Sequence, residues 1–462
     1  MARLTDALLP AVTTVNGYLS DYVLLFLLVS AGLFFTVRTR FVQVRCLGEG
    51  LRLVFGGFSK DKQREKGEMS SFQALTTAIA AQVGTGNIVG ASGAVLTGGP
   101  GAIFWMWIIA FLGMATIYAE AVLAQKTRVR DKDGTVLGGP VYYIRAGFSG
   151  RFGRFLAGFF ATAVLLALGL FGCMVQSNSI GAAFSNAFGV PAWITGAVLA
   201  LLCGLVFVGG TNRLASVTEA LVPAMAALYL LGGAAVLVLR APHVPEAFGM
   251  IFRYAFRPSA ILGGAAGAAL KAAISQGAKR GLFANEAGMG STPHAHALAD
   301  VKTPHQQGCV AMVGVFIGTF GIVTITALAV IVTLYAGGGP LSTPGAGLQA
   351  MEYGLNQSNL AQTAYSSVFG EALGTAFIAI ALFFFAFSTI LSWNLFGKLN
   401  VQYLLGQRAV LPYTALSVGF LFIGTVISAD LVWGLADLFN QLMVLPNVIG
   451  LAGCVGMLKR DN

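Results

Sequence analysis

Gln82, Thr85 and Asn87 flank Gly84 and Gly86 in the stretch QVGTGN (82–87), inside a segment with no charged side chain from Ser70 to Tyr118. Glycine lets a helix break there. A break frees N–H and C=O groups, which the hydrocarbon core of a bilayer cannot satisfy. It is tolerated only inside a protein, where a ligand or ion supplies the partners. The N-terminal end of a half-helix attracts a carboxylate, and the C-terminal end of the other half offers carbonyls to a cation. A nucleotide-phosphate reading fails. The spacing from Gly84 to Gly90 is GxGxxxG, no strand precedes it, and no P-loop lysine follows.

Two further stretches carry chemistry at membrane depth. In FFFAFSTILSWNLFG (383–397), Ser388 and Thr389 are adjacent hydroxyls among aromatics. In an ordinary helix they bond back to carbonyls one turn earlier. Functionally, hydroxyl and carbonyl oxygens suit a hard cation such as sodium without a full negative charge. The stretch 261–280 is rich in Gly and Ala and holds Ser275, Gln276 and Gly277. It reads either as a second glycine-interrupted helix or as close packing through small residues. Lys271 within it is an intramembrane ionisable group or a snorkelling lysine.

The elements that must position these residues are membrane helices. The chain has 462 residues, 56% hydrophobic and 10% charged, where a soluble domain carries about 25% charged. The mean hydropathy is +0.78. Apolar runs predict about eleven spans of the length a bilayer requires, at 17–37, 72–96, 99–126, 153–183, 191–209, 214–239, 261–279, 308–336, 371–397, 409–428 and 431–457. A β-barrel would alternate instead. The net charge of +10 is distributed as in a membrane protein, and no basic patch is interleaved with exposed aromatics, which argues against nucleic acid. Arg38, Arg40, Arg45, Arg52, Lys60, Lys62, Arg64 and Lys66 follow the first span, and Lys126, Arg128, Arg130, Lys132, Arg145 and Arg151 follow the third. Arg213, Lys279, Arg280, Lys302, Lys398, Arg408, Lys459 and Arg460 fall on the same side, and Arg3, Arg240, Arg253 and Arg257 on the opposite one. The positive-inside rule then predicts an outside N-terminus and a cytoplasmic C-terminus.

The cysteines 46, 173, 203, 309 and 454 are scattered without a CxxC pair, so neither a disulfide framework nor a zinc site is expected from their spacing. Residues 279–307 read as a polar cytoplasmic loop with a short helix or hairpin against the inner mouth. His294 and His296 form an HxH pair there, but no carboxylate or cysteine completes a ligand set at a familiar spacing, so a solvated loop is the expectation. The second and seventh spans are five apart, and a five-helix repeat returns inverted. Interrupted helices at matching positions in two inverted halves mark a transporter's midplane site.

GGPGAIFWMWIIAFLG (98–113), with its Phe104-Trp105-Met106-Trp107 run, resembles the signature of the alanine/glycine:cation symporter family. RGLFANEAGMGS (280–291) and GTGNIVG (84–90) resemble two further hallmarks, and the likeness covers nearly the whole chain. The resemblance implies an all-α polytopic protein of LeuT-type fold, with two inverted five-helix repeats (71–245 and 246–458) after one extra helix and a basic loop (1–70). It also implies sodium-driven uptake of alanine or glycine by a monomer in the plasma membrane, the inner membrane of a bacterium, with Na+ as coupling ion, no other cofactor and no enzymatic activity.

By position, the resemblance implies a sodium site from the carbonyls of Ala80, Val83 and Phe385 and the hydroxyls of Ser388 and Thr389. Gln82 and Asn87 resemble members of a second sodium site. The substrate carboxylate is expected at the amides near Thr85, Gly86 and Asn87. Phe171, Gln176, Gln276 and Trp393 are candidates for the remaining substrate contacts. Glu120 matches a glutamate that supports the unwound part of the repeat-mate helix. Proton coupling through Glu120 or Lys271, and a passive channel, are the competing functions.

Overall fold

The computed structural model describes residues 2–56, 68–131, 134–257, 261, 266–352 and 354–460. Lys60, Lys62, Arg64, Lys66 and Lys132 lie outside the described residues. The architecture is helical, because apolar runs of this length can satisfy their backbone only internally. Among the described residues, seven helices are long and apolar enough to cross a bilayer. They are α1 (Leu8–Arg38), α5 (Ala102–Thr127), α7 (Gly150–Phe188), α9 (Gly210–Leu239), α13 (Pro304–Tyr335), α15 (Glu371–Leu405) and α17 (Ala429–Gly453). A bent pair, α3 (Ser71–Gln82) and α4 (Gly86–Gly98), makes an eighth if counted as one span. At the three other expected positions stand α8 (Ala192–Val208), α11 (Ala266–Asn285) and α16 (Val410–Gly424), which are shorter or more polar.

Short elements close the ends. Helix α2 (Leu47–Phe55) follows α1, α6 (Pro140–Gly147) precedes α7, and α10 (Val244–Phe256) follows α9. Helix α12 (Pro293–Ala297) sits between α11 and α13, and α14 (Leu360–Phe369) precedes α15. The entry to α3 is built with care: Ser70 and Gln73 form a reciprocal capping box, which satisfies two otherwise orphaned donors. Directly before it, β1 (Met69–Ser70) pairs in parallel with β4 (Ala299–Asp300). The start of the first broken helix is thereby tied to the end of the α12 segment. Strands β2 (Val129–Arg130) and β3 (Val136–Leu137) form a small hairpin after α5.

Three sequence expectations change here. The stretch 266–285 is one continuous helix, so Ser275–Gly277 is not a break. Its small residues serve close approach: a Cβ on Gly277 would lie 2.5 Å from that of Trp105. The irregular stretch follows it, where Glu286 (φ 56°), Gly288 (φ 89°) and Gly290 (φ 77°) adopt left-handed backbone. Consequently Lys279 and Arg280 belong to a buried helix end rather than to a polar loop. Lys279 Nζ lies 2.6 Å from Asp437 of α17, and the Arg280 guanidinium sits 4.7 Å above the Trp433 ring.

Residues 383–397 lie within the 35-residue helix α15. The histidine segment is also not solvated. His294 and His296 are each 1% exposed. His294 Nε2 lies 2.8 Å from Asn400 Nδ2, its ring stacks between Phe160 and Phe396, and Gln307 Nε2 lies 2.7 Å from His296 Nδ1. Polar partners supplied by distant spans make burial of that segment affordable.

Candidate functional site

Helix α3 ends at Val83, whose φ of −109° and ψ of 80° leave the helical region, and α4 departs at 47° to it. Gly84 occupies the break because nothing larger fits. A Cβ there would lie 2.4 Å from Thr389 Oγ1 and 2.9 Å from Gln176 Oε1. At Gly86 a Cβ would meet the Phe283 ring at 2.7 Å. Three helices therefore converge on the break: α15 through Thr389, α7 through Gln176, and α11 through Phe283.

The freed backbone is partly satisfied by side chains. The Gly84 N–H donates to Asn87 Oδ1 (3.1 Å) and the Thr85 N–H to Gln176 Oε1 (3.1 Å). Asn87 Nδ2 in turn donates to the Gly318 carbonyl (3.2 Å). That carbonyl lies in a π-helical turn of α13, Phe316–Val323, the kind of irregular turn that gathers at functional sites. Gln82 Nε2 donates to the carbonyl of Asn285 (2.9 Å), which joins the two breaks.

Oxygens gather on the α15 side. Thr389 Oγ1 donates to the Ala80 carbonyl (2.7 Å) and approaches the Phe385 carbonyl (3.0 Å), which also accepts from Ser388 Oγ (2.9 Å). Ala80, Phe385, Ser388 and Thr389 are thus brought together between α3 and α15, and Val83 is the last residue before the break. The oxygens are neutral and buried, a donor set for a hard monovalent cation rather than for a soft metal.

Several buried polar atoms at the break have no hydrogen-bond partner among the described residues: Gln82 Oε1, Thr85 Oγ1, Gln176 Nε2, Asn285 Nδ2 and Thr319 Oγ1. Buried polar groups are normally paired, so this cluster has the chemistry of a site for a small zwitterion with its cation. Thr85, Asn87, Gln176, Ser388 and Thr389 are all 0% exposed. These residues are shielded from solvent on all sides.

Of the other expected residues, Trp393 is 1% exposed, edge-on to Phe283, and donates from Nε1 to Glu286 Oε1 at 2.6 Å. Phe171 stacks on Phe439 at 5.2 Å between centroids. Gln276 packs beside Gly98, away from the break. Lys271 is exposed, with Nζ 5.2 Å from the Tyr22 ring centroid. Glu120, fully buried on α5, accepts from the N–H groups of Gly288 (3.3 Å) and Gly290 (3.1 Å) and from Asn447 Nδ2 (2.6 Å). It holds the irregular stretch after α11.

Glu286 and Asn285 also belong to the site, although the sequence motifs do not single them out. Glu286 Oε2 also accepts from Ser291 Oγ at 2.5 Å. The available signal was an acid–amide pair followed by GxG in an apolar context.

Residues 5–460 match the family described as the sodium:alanine symporter family. The sodium/alanine symporter AgcS of Methanococcus maripaludis is 40% identical, over 95% of this chain and 93% of that protein. The amino-acid carrier protein AlsT of Bacillus subtilis is 36% identical, over 94% of this chain and 88% of its own length. Among solved structures, a manganese transporter of Eremococcus coleocola aligns with a TM-score of 0.54 at 16% identity, covering 83% of this chain and 76% of that one. At that identity the likeness concerns the fold alone.

Proposed function

Because the chain belongs to the sodium:alanine symporter family, we propose that it couples inward sodium movement to uptake of a small neutral amino acid, alanine or glycine, by alternating access. The observation that carries this reading is the break at Val83–Thr85, where buried carbonyl and hydroxyl oxygens lie on one side and unpaired polar atoms on the other. The sodium/alanine symporter AgcS, at 40% identity, supports the same solute and ion.

In this reading, sodium sits among the carbonyls of Ala80, Val83 and Phe385 and the hydroxyls of Ser388 and Thr389. Gln82 and Asn87 border a second cation position. The substrate carboxylate meets the amides of Thr85, Gly86 and Asn87 at the start of α4, where the helix dipole favours negative charge. Gln176 anchors that backbone through Thr85 and turns its unpaired Nε2 toward the substrate. Trp393 and Phe283 limit the side-chain space to a methyl group or a hydrogen, and Phe171 covers it. Gln276 lies beside α4, and Lys271 reaches toward the interface with its ammonium on Tyr22.

Two inverted five-helix repeats follow α1 in this reading, with eleven spans, the N-terminus outside and the C-terminus in the cytoplasm. Rocking of these repeats exposes the site to each side in turn. Each sodium ion entering across 100 mV contributes about 2.3 kcal/mol to accumulation. Full burial of the site residues supports alternating access over an open pore. Glu120 and Glu286 have their carboxylates engaged by backbone amides, Asn447, Ser291 and Trp393, which supports a positioning role over proton relay.

The test is uptake of labelled alanine and glycine into proteoliposomes. Accumulation is expected with an inward sodium gradient and not with potassium on both sides. Uptake driven equally by a pH jump without sodium would replace this reading with proton coupling.

A further inference from the structure

Away from the break, four side chains with metal-ligand chemistry meet near the end of α1: Cys46, Glu49, His305 and Cys309. One ligand atom from each lies within 4.8 Å of all the others. They come as two short-range pairs. Cys46 and Glu49 are three residues apart at the start of α2, and His305 and Cys309 are four apart on the first turns of α13, where i and i+4 share a face. The two pairs meet because α2 lies directly on α13. A Cβ on Gly50 would sit 2.5 Å from the Cys309 carbonyl oxygen.

We propose that Cys46, Glu49, His305 and Cys309 bind one zinc-class divalent ion, which clamps α2 to the base of α13. Two of the six ligand-to-ligand edges can be compared directly with a metal centre. A tetrahedral zinc centre with ordinary bond lengths has ligand-to-ligand edges of about 3.6 Å for S–N and about 3.4 Å for N–O. Here Cys309 Sγ lies 3.5 Å from His305 Nε2, and His305 Nε2 lies 3.3 Å from Glu49 Oε2. The other imidazole nitrogen is engaged: His305 Nδ1 lies 2.7 Å from the Tyr118 hydroxyl of α5. Such an outer partner sets the tautomer and turns Nε2 inward as a ligand.

Two thiolates and one carboxylate around a divalent ion leave one net negative charge. Arg38 and Arg45 line the same cavity, of about 530 Å³, and offset it. That cavity gives an entry path, since the Glu49 side chain is 46% exposed and that of His305 25%, while Cys309 is fully buried. Two sulfurs, one imidazole and one carboxylate select zinc over magnesium or calcium, which prefer all-oxygen shells. With all four positions filled by protein, the role is structural. The ion links the segment after α1 to α13 and, through Tyr118, to α5.

The experiment uses the full-length protein in detergent, stripped with chelator under reducing conditions and titrated with cobalt(II). Expected are one equivalent bound, a sulfur-to-cobalt charge-transfer band, tetrahedral visible bands, and displacement of cobalt by one equivalent of zinc. Cys46→Ser and Cys309→Ser lose the charge-transfer intensity of one sulfur each, whereas Cys203→Ser in α8 keeps the full spectrum. Tyr118→Phe weakens zinc binding by about 10-fold to 100-fold. Should a cysteine variant not fold, the wild type still decides: zinc, and not magnesium, slows maleimide labelling of Cys46. A featureless cobalt titration, a spectrum unchanged in both cysteine variants, labelling indifferent to zinc, or conversion of Cys46 and Cys309 to a disulfide in place of metal uptake would each overturn the proposal.

Discussion

At the scale of the residue, the site is organised by one hydroxyl and two glycines. Thr389 Oγ1 bridges α3 and α15 through the Ala80 and Phe385 carbonyls. Bonding back to a carbonyl one turn earlier is what any helical threonine does, and Ser388 does only that toward backbone. The contact to Ala80 is the part that helix geometry alone does not explain. Thr389→Ala removes one hydroxyl oxygen from the cation position while leaving the Gln176 and Trp393 contacts in place. The expected outcome is at least a tenfold rise in the sodium concentration for half-maximal uptake, with the ratio of alanine to glycine transport unchanged. A sodium titration of uptake checks it, and an unchanged midpoint would remove Thr389 from the cation site. Ser388 and Thr389 were legible in the sequence as paired hydroxyls in an apolar run. Glu286 was not, because its role depends on a left-handed backbone and on an indole over a hundred residues away.

At the scale of the element, the α12 segment shows how distant polar groups allow burial. His294 and His296 lie outside the membrane-spanning helices and are fully enclosed. Burial pushes the His294 imidazole down to about 4 and that of His296 to about 3. In the unfolded chain each takes up a proton near pH 6.5. Above that pH both states are neutral and the stability is fully present. As the pH falls from about 6.5 toward 4, the unfolded state binds protons that the fold refuses, so stability declines. The thermal midpoint of the detergent-solubilised protein is therefore expected to fall between pH 7 and pH 5. His296→Gln, which can still accept from Gln307, should show a smaller fall. Equal pH profiles for the two proteins would contradict this account.

The two broken helices belong to the same scale. The break at 84–87 was legible because glycine, amide and hydroxyl groups cluster in an uncharged run. The second break stood some ten residues beyond the Gly/Ala-rich stretch that suggested it. Small residues permit both a break and close packing, and only the neighbours decide. Gly277 faces Trp105 and Ala102, so its stretch stays helical.

At the scale of the whole molecule, helices from both halves of the chain meet at one occluded point, with α3, α7, α11, α13 and α15 all contributing. Lys279 and Arg280 join α17 through Asp437, so their charge is held inside the bundle rather than in a cytoplasmic loop. The orientation proposed from the remaining basic residues is tested by labelling. In right-side-out vesicles, a cysteine introduced as Asn356→Cys is expected to react with an impermeant maleimide. One introduced as Arg408→Cys should react only after permeabilisation. The reverse pattern would invert the topology.

The amino-acid sequence by itself determined that this chain lives in a bilayer, where its long spans lie, and that polar backbone had to be sheltered near Gly84. Those conclusions rest on hydropathy and on local chain chemistry, which neighbouring residues carry in full. Only the tertiary structure decided which small-residue stretch breaks, which histidines are buried, and that Cys46 and Glu49 face His305 and Cys309. Each of these depends on groups separated by tens to hundreds of residues. Their distances are set by helix packing, which no local pattern of side chains encodes.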